Sequence, residues 1–178
     1  SGYGAEAIAT QRVGGQIESI SWNTADGFGA ALNAFIAQNY GAGRNDRVRK
    51  GYKASLWTVG IWGLLISAVF IWVPEPIARI FFHEPAAIAT AVEYLIIIGF
   101  SEAFMCVELT TVGALSGLGR TRLCSIISIA FTSARIPLAI ILGGMIGLSG
   151  IWWALSSTSI VKGIIFTCTF LWITRKRK

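Results

Sequence analysis

The chain is poor in charge. Only 13% of its 178 residues are Asp, Glu, Lys or Arg, against roughly 25% in a soluble globular domain. It has a single histidine, His83, and three cysteines, Cys106, Cys124 and Cys168. The cysteines stand far apart in apolar runs, with no CxxC and no Cys/His cluster. That pattern argues against a zinc site and against a disulfide framework, and the three read as small buried apolar residues. No GxSxG, HExxH or phosphate-binding glycine loop occurs, so neither an enzyme nor an ATP-driven pump has support. No catalytic residue, cofactor or metal ligand set is expected, beyond a transient H⁺ or Na⁺. The chain opens on Ser1-Gly2-Tyr3 without a signal peptide and ends on Arg175-Lys176-Arg177-Lys178. Both ends are those expected of a fragment from the C-terminal part of a longer protein.

Apolar residues take the place of the missing charge. They make up 54% of the chain, the mean hydropathy is +0.64, and there are seven Trp and twenty Gly, a composition typical of membrane bundles. About 20 apolar residues cross the hydrocarbon of a bilayer. Spans are predicted at about 54–80, 92–118, 123–146 and 151–174. Residues 7–37 form a weaker candidate, because Arg12, Glu18, Asn23, Asp26 and Asn33 lower its hydropathy. The expected fold is all-α: a polytopic transmembrane bundle of about five helices.

Charge placement agrees with five antiparallel spans. Arg44, Arg47, Arg49, Lys50 and Lys53 fall in the first connection, Arg120 and Arg122 in the third, and Arg175 to Lys178 at the end. These are eleven of the fifteen Lys and Arg, all on one face. The connections at 83–85 and 147–150 have none. The positive-inside rule makes the 40–53 loop and the C-terminus cytoplasmic. The net charge of +6 is thus a topology signal and not a nucleic-acid signal. Gly41-Ala42-Gly43 and Gly117-Leu118-Gly119 are expected to end helices. Pro74-Glu75-Pro76 interrupts the second span. Trp152, Trp153 and Trp172 suit interface anchors.

Two acids violate the apolar pattern. Glu102 and Glu108 are the only charges between Tyr94 and Gly119. A carboxylate at bilayer depth costs about 2.5–3.5 kcal/mol even on the lenient insertion scale, so such residues face a protein interior or a water-filled cavity. Six residues separate the pair, about 240° around a helix, so they cannot share one narrow cavity. Glu18 and Asp26 are about 80° apart and can share a broad face, where Ser19, Trp22 and Asn23 extend a polar stripe. Two readings compete at each acid: a neutral hydrogen-bonded structural group, or a site visited by a cation. Arg135 and Lys162, the intramembrane bases, are expected to pair with these acids.

Several motifs in order carry a resemblance. Gln38-Asn39-Tyr40-Gly41-Ala42-Gly43-Arg44 with its basic continuation resembles the loop of the multidrug and toxin extrusion (MATE) transporters. Gly113-Ala114-Leu115-Ser116-Gly117-Leu118-Gly119-Arg120-Thr121 resembles that family's glycine motif. Gln16-Ile17-Glu18-Ser19-Ile20-Ser21-Trp22 and Pro74-Glu75-Pro76-Ile77 are similar as well, and the spacing fits across essentially the whole chain. The resemblance implies the eighth to twelfth helices of a twelve-helix transporter, most of its C-terminal lobe. The N-terminal lobe and the helix before Ser1 are then partners of the fold. It further implies antiport in the inner (cytoplasmic) membrane, with a small cationic substrate exported against H⁺ or Na⁺. Where some members carry an aspartate on the tenth helix, Met105 stands here. Glu18, Asp26, Glu102 and Glu108 are then the candidate cation and substrate-binding residues, supported by Trp22, Asn23, Arg135 and Lys162. A lipid-linked oligosaccharide flippase of the same superfamily, or a non-transporting structural subunit, is the alternative. A flippase would need a larger and more basic cavity.

Overall fold

A computed structural model describes residues 4–175, with side chains from Thr10 onward. Lys176, Arg177 and Lys178 of the basic tail lie outside the described residues. Six helices follow in order: α1 Gly4–Gly41, α2 Asn45–Trp72, α3 Pro74–Phe81, α4 Pro85–Gly117, α5 Thr121–Ile146 and α6 Leu148–Arg175. Four of them, α2, α4, α5 and α6, are long and apolar enough to cross a membrane. The short α3 separates α2 from α4, so α1 and α4 run in the same direction.

The helix ends follow from local chemistry. Gly43, Gly119 and Gly147 have positive φ values of 70°, 73° and 70°, which glycine adopts without a Cβ clash. Each sits in the tight connection after α1, α4 or α5. Pro74 and Pro76 open α3 and divide the predicted 54–80 span at Val73, because proline lacks the amide that α2 would need to continue. Arg79 and Glu75 then pair at 2.6 Å on the exposed face of α3.

Two boundaries differ from the sequence reading. The basic segment is not a 40–53 loop: Asn45 onward is already helix, so Arg47, Arg49, Lys50 and Lys53 ride on the first turns of α2. Its helix simply extends past the apolar stretch. The second connection is shorter than predicted as well, since α4 begins at Pro85 and runs to Gly117, about 50 Å. α5 runs continuously through Pro137, as the 123–146 span expects.

α4 is the centre of the bundle. It packs against α1, α2 and α6, while α5 is held mainly by α6. The α1–α4 contact is a seam of small residues in parallel register. Ser21 meets Cys106, Ala25 meets Thr110, Gly29 meets Gly113, and the backbone at Asn33 meets Gly117. A Cβ on Gly113 would lie 2.2 Å from the Gly29 carbonyl oxygen, so the two backbones touch. Lipid offers no hydrophobic drive between helices, and close backbone approach of this kind supplies the packing energy instead. Larger apolar clusters close both ends of the seam. Ile36, Tyr52, Leu115, Phe166 and Phe170 fill one end; Phe70, Tyr94, Leu95 and Trp152 fill the other.

Burial corrects two further expectations. Trp152 is fully buried and is a core residue, not an interface anchor; Trp153 and Trp172 remain exposed. Cys106 and Cys124 are buried but Cys168 is exposed, on the outward side of α6. α5 presents Ile126, Ile129, Ile136, Ile140 and Met145 outward, as a helix facing lipid or a further apolar partner does.

Candidate functional site

Two acidic centres lie halfway along α4, on different sides of it. The first is between α4 and α1. Glu102 is 0% exposed, and neither carboxylate oxygen has a hydrogen-bond partner among the described residues. Its polar neighbours are Ser21 and Glu18, both on α1. Glu18 is half-buried and accepts a hydrogen bond from the Tyr94 hydroxyl. Tyr94 also stands within electrostatic reach of Glu102. Its ring is held edge-on to Trp152, centroids 5.1 Å apart, and lies against Gly14, where a Cβ would strike it. The Ser21 hydroxyl and the Cys106 thiol, 3.3 Å apart, complete the lining.

The electrostatics of this centre are one-sided. Neither Glu18 nor Glu102 forms an ion pair with a described Lys or Arg; the two ion pairs are elsewhere. Two carboxyl groups therefore share a dry site whose hydrogen-bond donors are hydroxyls. Charge in such a place is costly unless it is compensated.

The second centre is compensated already. Glu108 and Lys162 of α6 form an ion pair at 2.7 Å, with side-chain exposures of only 9% and 13%. Arg135 of α5 lies within electrostatic reach of Glu108. Its Nε donates to Thr158 Oγ1 at 2.9 Å and its Nη2 to Ser159 Oγ at 3.2 Å. One acid thus faces two bases, and the excess is positive. Arg135 also borders an open cavity of about 510 Å³, bounded by Gln11, Ile140, Ile151 and Leu155.

The sequence-predicted residues thus divide. Glu18 and Glu102 come together; Glu108, Lys162 and Arg135 come together; the two groups do not meet. Trp22, Asn23 and Asp26 are exposed and join neither. Glu18 and Asp26 do not act as one face, because α4 covers only the narrow strip of α1 through Ser21, Ala25 and Gly29. Met105, half-buried, lies between the two centres along α4. Tyr94 and Ser21 were missed as site residues. Tyr94 is eight residues before Glu102, about 80° around the helix, a spacing that makes it a candidate for the same face.

Comparison with known proteins identifies the family and the fold. A MatE family model matches residues 1–141. The chain is similar to a probable multidrug resistance protein NorM of Thermotoga maritima, 31% identical over 173 residues, covering 93% of this chain and 35% of that protein. An FAD transporter of Shewanella oneidensis is 24% identical over 166 residues, covering 93% of this chain and 36% of that protein. The fold is that of the Vibrio cholerae MATE transporter VcmN in its bent form. The TM-score is 0.90 at 19% identity, over 98% of this chain and 40% of that one. The chain therefore spans little more than a third of the length of the relatives it matches.

Proposed function

Since this chain belongs to the MatE family of multi-pass membrane transporters, we propose that it serves in secondary active efflux of organic cations or other xenobiotics, as antiport against H⁺ or Na⁺. Most of a C-terminal lobe is contributed by these residues, and the remaining helices of the protein complete the cleft. The α1–α2 turn and the C-terminal end of α6 lie on the cytoplasmic side of the inner membrane, as the Arg and Lys placement requires.

The observation that carries the mechanism is the pair Glu18–Glu102: two acids at bilayer depth, one fully buried without a hydrogen-bond partner among the described residues, and no base beside them. A proton or Na⁺ held there is displaced when a cationic substrate reaches the cleft, and rebinding of the ion releases the substrate. Competition for one negative site is what couples the two fluxes, and rocking of one lobe against the other gives alternating access. Tyr94 positions Glu18 through its hydroxyl. Glu108 is given a structural role here, because Lys162 already neutralises it.

The test is accumulation of a fluorescent organic cation in cells lacking their own pumps, with and without an ionophore that dissipates the ion gradient. Full-length protein should lower accumulation only while the gradient stands. Glu102→Gln should abolish that effect, and Glu18→Gln should weaken it. Undiminished export by both amide variants would overturn the carboxylate mechanism. A second reading has one observation in its favour: Arg135, left over once Lys162 has neutralised Glu108, lines the 510 Å³ cavity and suits an anionic substrate such as a lipid-linked pyrophosphate. Saturation by that class, and not by organic cations, would select it.

A further inference from the structure

α2 and α6 both lean on α4, and their basic ends border a groove of about 410 Å³. Its rim is basic: Arg49, Lys50 and Lys53 on α2, and Arg175 on α6. None of the four forms an ion pair with a described acid. Asp46, the acid in the first turn of α2, does not line the groove. The floor is apolar and rigid: Tyr52 and Phe170 stack with centroids 3.7 Å apart. Arg49 also donates to the Thr174 carbonyl, tying the two helices together below the opening.

The chemistry changes along the helix axis in a regular way. Arg49, Lys53, Trp57, Ile61 and Leu65 follow each other at four-residue spacing, each beside the next on α2, in a row that winds about 40° around the helix per step. Trp57, Ile61 and Leu65 are 71%, 60% and 53% exposed. On α6 the same change runs from Arg175 through Leu171 to Ile164 and Val161, the last three also exposed. Away from the basic rim of the groove, the exposed surface of each helix therefore passes from cationic to apolar within about one helical turn. A soluble anion has no use for the apolar continuation. A phospholipid matches both parts, with the phosphate at the rim and the acyl chains along the apolar surface. Basic pockets between transmembrane helices on the cytoplasmic side are suited to anionic headgroups.

We propose that this α2–α6 groove is a binding site for an anionic phospholipid of the cytoplasmic leaflet, with its phosphate held by Arg49, Lys50, Lys53 and Arg175. The site is separate from both acidic centres and nothing in the efflux reading requires it. It would tie the cytoplasmic ends of α2 and α6 to the leaflet while the bundle moves.

The experiment uses the full-length protein in nanodiscs. Thermal unfolding is followed in phosphatidylcholine alone, and in phosphatidylcholine containing phosphatidylglycerol or cardiolipin. A further arm adds inorganic phosphate to phosphatidylcholine discs. Anionic lipid should raise the Tm of the wild type. The rise should be lost in Lys50→Gln/Lys53→Gln, whose side chains are exposed and whose fold is preserved. It should persist in Arg120→Gln/Arg122→Gln, which removes two charges from the other basic connection on the same side. Native mass spectrometry should show a retained anionic lipid on the wild type and on the second variant only. Equal lipid effects in all three proteins would overturn the site, as would equal losses in both variants, which mean diffuse attraction. Reproduction of the stabilisation by inorganic phosphate would overturn the lipid assignment.

Discussion

Lys162 and Glu108 meet at 2.7 Å between α6 and α4, both nearly out of reach of solvent. The pair removes the cost of a lone acid at bilayer depth, and it holds α6 against the central helix. Breaking a buried pair by removing one partner typically costs about 3–5 kcal/mol, because the other charge is left uncompensated; replacing both partners by apolar residues is often neutral. Glu108→Gln should therefore lower the Tm of purified protein clearly, while Glu108→Leu/Lys162→Leu should recover most of the loss. A double variant as unstable as the single one would show that the pair does more than neutralise itself.

Glu102 should behave in the opposite way. Its carboxylate oxygens are buried and lack a hydrogen-bond partner among the described residues, with the Ser21 hydroxyl the nearest donor, so little in the fold offsets its desolvation. An apolar residue of similar size avoids the desolvation cost of about 1–3 kcal/mol for an unsatisfied polar group. Glu102→Leu should leave Tm unchanged or raise it, and should abolish ion-coupled export. A destabilised but still active variant would mark Glu102 as a structural acid.

Tyr94 gives a graded test of the same centre. Its hydroxyl donates to Glu18, and a hydrogen bond to a charged group contributes about 1.5–3 kcal/mol. Tyr94→Phe should alter the affinity for the coupling ion by at most about a hundredfold, read from the dependence of export on ion concentration. The Trp152 contact stays intact in this variant, so the fold should not change. Affinity equal to the wild type would remove Tyr94 from the site.

The glycine seam predicts a contrast in packing. A Cβ on Gly113 would enter the Gly29 backbone, whereas one on Gly27 meets nothing within 4 Å. Gly113→Ala should force α1 off α4 and cost about 1–3 kcal/mol, as overpacking does. Gly27→Ala should be neutral or stabilise by up to about 1 kcal/mol through helix propensity. Yields of folded, monodisperse protein for the two variants, with their Tm values, would check this.

Much of this architecture is legible without coordinates. The all-helical fold and the clustering of Arg and Lys follow from where apolar runs and basic residues fall, because a bilayer imposes one requirement on every segment alike. Breaks at Gly43, Gly119 and Pro74 follow from single-residue backbone chemistry. The 240° between Glu102 and Glu108 already separates them. What each acid faces is another matter. That depends on which strip of α1 settles on α4 and on how α5 and α6 close behind it, and both are set by contacts between residues distant in the chain. Tyr94 meets Glu18, Lys162 meets Glu108, and Asp26 meets neither. No local pattern contains these pairings: Tyr94 reaches Glu18 where α1 closes on α4 at Gly29 and Gly113, and Lys162 reaches Glu108 where α6 closes on α4 at Gly163 and Phe104. Sequence alone therefore determined that acids interrupt an apolar helix. Only the packed helices decided which one is neutralised by a neighbour and which is left without a base, because charge compensation is a property of juxtaposed side chains.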